Sequence, residues 1–240
     1  MDWEEKRNEL LSEYSKSAEH RMNIALKHMA AGVSFVDISS AYIDDGVTIG
    51  EGTVIGPMVT LEGKTVIGKN CVIRQNTRIA DSVIADGVEI ENSVITESEI
   101  GEGTKVGPFA YMRPGSRVGA GCKVGDFVEI KNSTFGDGSK AAHLTYIGDS
   151  DVGRNVNLGC GVVFVNYDGK AKYRSEVADG AFIGCNSNLV SPVKVGEGAY
   201  IAAGSTVTED VEGDALYIAR AHGTKKQGWV SAKGILKRKK

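Results

Sequence analysis

Residues 43–79 read IDDGVTIGEGTVIGPMVTLEGKTVIGKNCVIRQNTRI, and one aliphatic returns at every sixth position: Ile43, Ile49, Ile55, Leu61, Ile67, Ile73 and Ile79. Two residues ahead of the later members stand Val47, Thr53, Val59, Thr65, Cys71 and Thr77, and Gly50, Gly56 and Gly68 follow directly. An amphipathic helix repeats near 3.6 residues and a strand near two, so neither gives this spacing. A hexapeptide β-solenoid does: each repeat supplies one short strand, one inward aliphatic and one corner. Glycine belongs at such corners because, without a Cβ, it adopts backbone geometry that strains other residues.

Working outward, the inward position recurs at steps of five or six from Ile84 to Phe164 and then from Val177 to Val207, which makes 28 rungs in all. At three rungs per triangular coil this predicts about nine coils, and at about 4.8 Å per coil a prism on the order of 40–45 Å long. Between Phe164 and Val177 the step is thirteen residues, so VNYDGKAKYRSE (165–176) must leave the prism as a loop. Loops held on rigid scaffolds are where function concentrates.

Upstream, residues 1–31 read as a helix. Asp2 and Glu5 form a capping box, Trp3, Leu10, Leu11, Tyr14, Ala18, Met22, Ala25 and Met29 keep three- and four-residue spacing, and Gly32 suits the C-terminal cap. The apolar stripe is expected to pack on the first coil or on another subunit. His20 and His28 read as ordinary helix residues, and the basic segment 233–240 as a solvated end. The division expected is therefore a helix over 1–32, a solenoid over 33–211, and a C-terminal arm with its basic tail over 212–240.

The 240 residues carry 31 Gly, only 4 Pro, 41% hydrophobic content and a net charge of −3. That balance gives no electrostatic footprint for nucleic acid or an acidic membrane. The sequence has no run of 18 apolar residues and no charged-then-apolar leader, so a cytoplasmic protein without a membrane span is expected. Cys71, Cys122, Cys160 and Cys185 are isolated, which argues against a metal cluster or a disulfide framework. GEGTKVG (101–107) and GAGCKVG (119–125) look like phosphate loops, yet they fall on repeat corners and open no helix.

Two columns emerge once the register is counted. Arg113 and Lys131 each follow a rung by one residue and lie eighteen apart, so they stack on one edge, where an anion would relieve their repulsion. The alternative is a pair that merely solvates an edge. His143, Cys160, Cys185 and Ala203 each stand two residues past a rung (Ala141, Leu158, Ile183, Ile201) of the same edge in successive coils. They form a groove wall along which an extended ligand would run, with a histidine suited to accept a proton at one end. From spacing alone a lone histidine is more often structural than catalytic.

The strings RPGS, GDFVEIKNS, GSKAAHLTYIGD, VGRNVNLGCG, VNYDGKAKY, VADGAFIGCNSNLVSPVKVG and YIAAGSTVTEDV resemble the acetyltransferase half of the bacterial bifunctional N-acetylglucosamine-1-phosphate uridyltransferase / glucosamine-1-phosphate acetyltransferase family. The resemblance runs from about residue 29 to 229. It implies an all-β, left-handed parallel β-helix, assembled as a homotrimer with its sites in grooves between prisms. It further implies acetyl transfer from acetyl-CoA to the 2-amino group of glucosamine 1-phosphate, with no metal required. By the same resemblance His143 is the general base, Arg113, Lys131 and Lys172 hold the sugar phosphate, and Tyr146, Asn157, Asn166 and Tyr167 orient the sugar. Cys160, Cys185, Ala203 and Arg220 face coenzyme A, and the segment 220–229 reaches across the groove onto a neighbour.

The sequence departs from that family where Cys160 replaces a usual Ala, Cys185 a usual Ser and Ala142 a usual Gly. A thiol is the weaker hydrogen-bond donor, which bears on rate and acceptor. Nothing before Gly32 resembles the family's nucleotidyltransferase domain, so the chain reads as a free-standing acetyltransferase, with a separate uridyltransferase left open as a partner. Another amino sugar phosphate, such as galactosamine 1-phosphate, and a non-catalytic trimeric scaffold stay open as alternatives. A solenoid carbonic anhydrase does not, because zinc there needs several histidines and His143 alone lies within the rungs.

Overall fold

The computed structural model describes residues 2–235. Thirty two- to four-residue strands wind into a triangular prism whose faces hold 11, 10 and 9 parallel strands, and every pairing but the last on the 11-stranded face joins a strand to the one three further along the chain. The result is an all-β left-handed β-helix of about ten turns, preceded by one helix. We call the faces A, B and C in the order in which the chain visits them from Ser34–Phe35 onward.

All 28 anticipated inward residues are buried, and together they form one continuous axial core. Alternation explains it: in strands of two residues one side chain must face in and its neighbour out. The residues two places earlier line the inner corners. Thr53 is wholly buried there, and its hydroxyl donates to the Gly68 carbonyl at 2.9 Å while accepting from the Cys71 amide at 3.0 Å. A buried hydroxyl thus bonds one coil to the next, which removes the cost of leaving it unpaired.

Two strands extend the count. Ser34–Phe35 pairs with Val54–Ile55, and Leu216–Tyr217 pairs with Tyr200–Ile201. Face A therefore runs past the expected boundary at 211. Both escaped the periodic reading because the steps beside them are irregular: eight residues from Phe35 to Ile43, and four from Val207 to Val211, which bridges to Val195.

The helix spans Trp3–Ala30, with the Glu5 carboxylate accepting from the Asp2 amide at 3.4 Å and Gly32 at φ +90° just past its end. Of the helix only Ile24 and Ala25 are buried, and of these only Ala25 belongs to the stripe. Arg21 lies over the Tyr42 ring at 4.3 Å, and His20 pairs with Asp45 at 2.9 Å, so the last turns seat on the first coil. Trp3, Leu10, Leu11, Tyr14 and Met29 stay exposed, so within one chain the stripe is only partly covered. Burial holds the His28 imidazole below its ordinary pKa. Of the basic tail, residues 236–240 lie outside the described residues. Among the described residues no helix is long and apolar enough to cross a membrane.

Candidate functional site

The edge between faces A and B carries the histidine column. Ala141, Leu158, Ile183 and Ile201 are successive face A partners in register. His143, Cys160, Cys185 and Ala203 therefore stack one per coil as the spacing predicts. The corner stays hydrogen-bonded throughout: Gly161 donates to the Leu144 carbonyl at 3.1 Å, Asn186 to Cys160 at 2.8 Å and Gly204 to Cys185 at 2.8 Å. Among the described residues the amides of Cys160, Cys185 and Ala203 have no backbone acceptor. The column thus offers donors at one-coil intervals.

One coil ahead of His143, in direct register, is Asp126. Its carboxylate lies 2.5 Å from Nδ1 of the imidazole. That hydrogen bond holds the Asp126 carboxyl below its usual range, so the carboxylate is ionised and the imidazole must be the donor. In the neutral imidazole that bond puts the proton on Nδ1 and leaves Nε2 as the acceptor. The His143 side chain is 56% exposed, open to a ligand. Asp126 was not singled out from sequence, although its place two residues past Val124 was the available signal.

Beyond this edge, face B carries the cations. Arg113 and Lys131 stand one coil apart as expected, but each already has a carboxylate partner: Glu129 at 2.8 Å from Arg113, and Asp149 at 2.8 Å from Lys131. Their mutual repulsion is therefore largely relieved within the chain, by carboxylates, where the spacing suggested that an anion would do so. Asp149 is buried and also accepts from Asn132 at 2.7 Å and Asn166 at 2.5 Å. Burial pushes its pKa up, yet the bonds from Lys131, Asn132 and Asn166 outweigh this and hold it low. Asp149 in turn raises Lys131. The repulsion that remains falls on Lys172, which the Lys131 ammonium holds below the ordinary lysine range.

Lys172 comes from the loop at 165–176, which is tightly built. Tyr167 bridges Lys172, the Lys170 and Ala171 amides both donate to Asp168 Oδ1 at 2.7 Å, and the Tyr167 hydroxyl donates to the Gly169 carbonyl at 2.7 Å. Arg174 clamps the returning end, with bonds of 2.5 and 2.6 Å to Asp151 and one of 3.0 Å to the Asn132 carbonyl. Asn166 reaches the Tyr146 hydroxyl at 3.4 Å across Gly148, where a Cβ would lie 2.4 Å from that hydroxyl. A side chain at 148 would push the Tyr146 ring or the Asn166 amide aside.

Of the sugar-site residues drawn from the resemblance, Arg113, Lys131, Tyr146, Asn166, Tyr167 and Lys172 belong to face B and its loop. Asn157 does not: it stands on face A between Lys140 and Phe182. Within one chain it lies on a different side of the prism from the others. On the coenzyme side, Arg220 donates to the Ala203 carbonyl, so these two are in contact.

These features define a hexapeptide-repeat solenoid. Residues 97–132 and 174–209 match the bacterial transferase hexapeptide family (six repeats), and 38–113 match the GMPPB C-terminal domain. The chain is, more narrowly, a homologue of the C-terminal half of bifunctional GlmU proteins. It is 53% identical over 218 residues to the Bifunctional protein GlmU of Clostridium botulinum strain 657, covering 91% of this chain and 48% of that protein. Against the Clostridioides difficile strain 630 protein it is 56% identical over 222 residues, covering 92% and 48%. The chain thus spans about half the length of the curated relatives it matches. A solved UDP-N-acetylglucosamine acyltransferase from Bacteroides fragilis aligns at 19% identity and TM-score 0.47 over 76% of this chain and 70% of its own.

Proposed function

We propose that this chain transfers the acetyl group of acetyl-CoA to the 2-amino group of glucosamine 1-phosphate. The observation that carries this reading is His143, oriented by Asp126, at the point where the face A column meets the cations of face B. With Nδ1 bound to the carboxylate, Nε2 accepts the proton of the amine as its nitrogen attacks the thioester carbonyl. The Asp126 charge then stabilises the imidazolium. Arg113 and Lys172, with Lys131 behind them, hold the phosphate, while Tyr146, Asn166 and Tyr167 orient the ring. The free amides along Cys160, Cys185 and Ala203 suit a thioester oxygen and the amide groups of pantetheine, and Arg220 suits the phosphates of coenzyme A. No step calls on a metal ion.

The active form is a homotrimer in this reading, supported by two observations. Asn157 stands on face A, apart from the sugar contacts on face B, and a neighbouring chain would bring it to them. Phe109, Phe127 and Leu144, each more than half exposed, sit at corner positions with φ of +60°, +55° and +48°. The same corner carries Asn76, Asn92, Asn186 and Gly204 in other coils. A bulky side chain in this conformation costs about 1–2 kcal/mol, which a covered, stacked ridge beside His143 would offset; Phe109 and Phe127 already stack at 5.5 Å.

Acetyl-CoA-dependent thiol release with a panel of hexosamine 1-phosphates tests the activity. Glucosamine 1-phosphate should be the best acceptor by kcat/KM. Preference for galactosamine 1-phosphate would move the substrate, and no turnover with any acceptor would leave only a scaffold. Light scattering should give a trimer at micromolar concentration.

A further inference from the structure

The four cysteines fall into two unlike pairs. Cys71 and Cys122 are buried, and their thiols donate to the Ala85 carbonyl at 3.1 Å and the Gly136 carbonyl at 3.2 Å. Burial pushes both thiols above their usual pKa, which makes them inert. Cys160 is half-buried and Cys185 exposed, and both line the column between His143 and Ala203.

Their mutual geometry is set by the ladder. Each lies two residues past a register pair, Leu158 and Ile183, and the Asn186 amide bonds the Cys160 carbonyl at 2.8 Å. The two Cα atoms are thus one coil apart, about 4.8 Å, inside the window of about 4.4–6.8 Å that a disulfide spans. The Cys185 sulfur also leans back over the preceding coil: a Cβ built on Gly159 would sit 3.0 Å from it. Glycine at 159 leaves the room that the Cys185 thiol occupies.

We propose that Cys160 and Cys185 form a dithiol site for small disulfides, with Cys185 as the attacking thiol and Cys160 as the resolving one. The ligand class is the disulfide of a pantetheine-type thiol such as coenzyme A; this clause alone rests on the acetyl-CoA reading of the groove. In the first step the Cys185 thiolate attacks one sulfur of RS–SR, the S–S bond breaks, and RS⁻ leaves and takes up a proton. In the second the Cys160 thiolate attacks the Cys185 sulfur, releases the second RSH and closes a Cys160–Cys185 bond. The two protein thiols lose two electrons and two protons, and the small disulfide becomes two thiols. Either the adduct or the bridge blocks the column between His143 and Ala203, and a dithiol reductant restores it.

The full-length protein is incubated with coenzyme A disulfide or glutathione disulfide, with and without saturating acetyl-CoA, and followed by intact mass and peptide mapping. The expected product is a cross-linked Cys160–Cys185 peptide, with Cys71 and Cys122 unmodified. Cys160→Ser should stop at a lasting mixed disulfide on Cys185, and Cys185→Ser should react about tenfold more slowly or not at all. No cross-link, or an adduct on Cys185 that lasts as long in wild type as in Cys160→Ser, overturns the dithiol site. Reaction with coenzyme A disulfide no faster than with glutathione disulfide overturns the ligand class. Cross-linking that acetyl-CoA fails to slow supports the dithiol and separately removes the groove assignment.

Discussion

The coils built from residues 43–79 and those built from residues 111–207 share one backbone and one core, and differ in what their outer positions carry. In the early coils the strand charges pair across the surface, as Arg78 does with Glu62 and Arg74 with Glu89, half-exposed and with little structural consequence. In the later coils the outer positions hold a largely buried pair, Lys131 with Asp149, and a histidine with its carboxylate. They also carry the one long insertion. A repeat that satisfies its own backbone and core at every coil leaves outer side chains free to vary, so chemistry collects where the pattern is broken.

The sharpest test of that contrast is His143→Ala, which should lower acetyl transfer about 10²–10⁴-fold. Its thermal midpoint should stay near wild type, because the side chain faces outward; a large drop in the midpoint would return His143 to a structural role. Next in size are the rungs, where the two regions should behave alike. Ile73→Ala and Phe164→Ala should each cost about 2–5 kcal/mol in denaturant titration. Phe164→Ala alone should also raise KM for the sugar phosphate, since it underlies Asn166.

Acid separates the regions again. The Asp149 carboxyl is held below its usual range by Lys131 and the two asparagines, against the opposing effect of burial. Its contribution is complete above the unfolded carboxyl pKa of about 3.9 and is lost as pH falls through the lower folded value. Asp149→Asn should cost on the order of 3 kcal/mol at neutral pH by leaving Lys131 unpaired. It should also flatten the fall in melting temperature below about pH 4; parallel melting curves for wild type and variant across that range would contradict the assignment. The smallest effect is on affinity. Lys172→Ala should weaken sugar-phosphate binding about tenfold with no effect on an unphosphorylated amino sugar, while Arg78→Ala in the early coils should change neither.

Much of this was legible in sequence. A solenoid makes three-dimensional neighbours of residues separated by one coil, so counting from Ile43 located every buried rung up to Val207, and with them the column from His143 to Ala203. The thirteen-residue step marked the loop that brings Asn166, Tyr167 and Lys172 to face B. Counting failed where steps were irregular, at Phe35 and Tyr217.

What the sequence determined by itself is the periodic part: backbone pairing and inward burial, both dictated locally and repeated. What only the tertiary structure decided is which outer group meets which. The pairing of His143 with Asp126, of Lys131 with Asp149 and of Arg174 with Asp151 depends on side-chain reach across coils, and several partners stood within range of each. A repeat fixes the height of every residue along the prism, but electrostatics and packing between coils settle which contacts form.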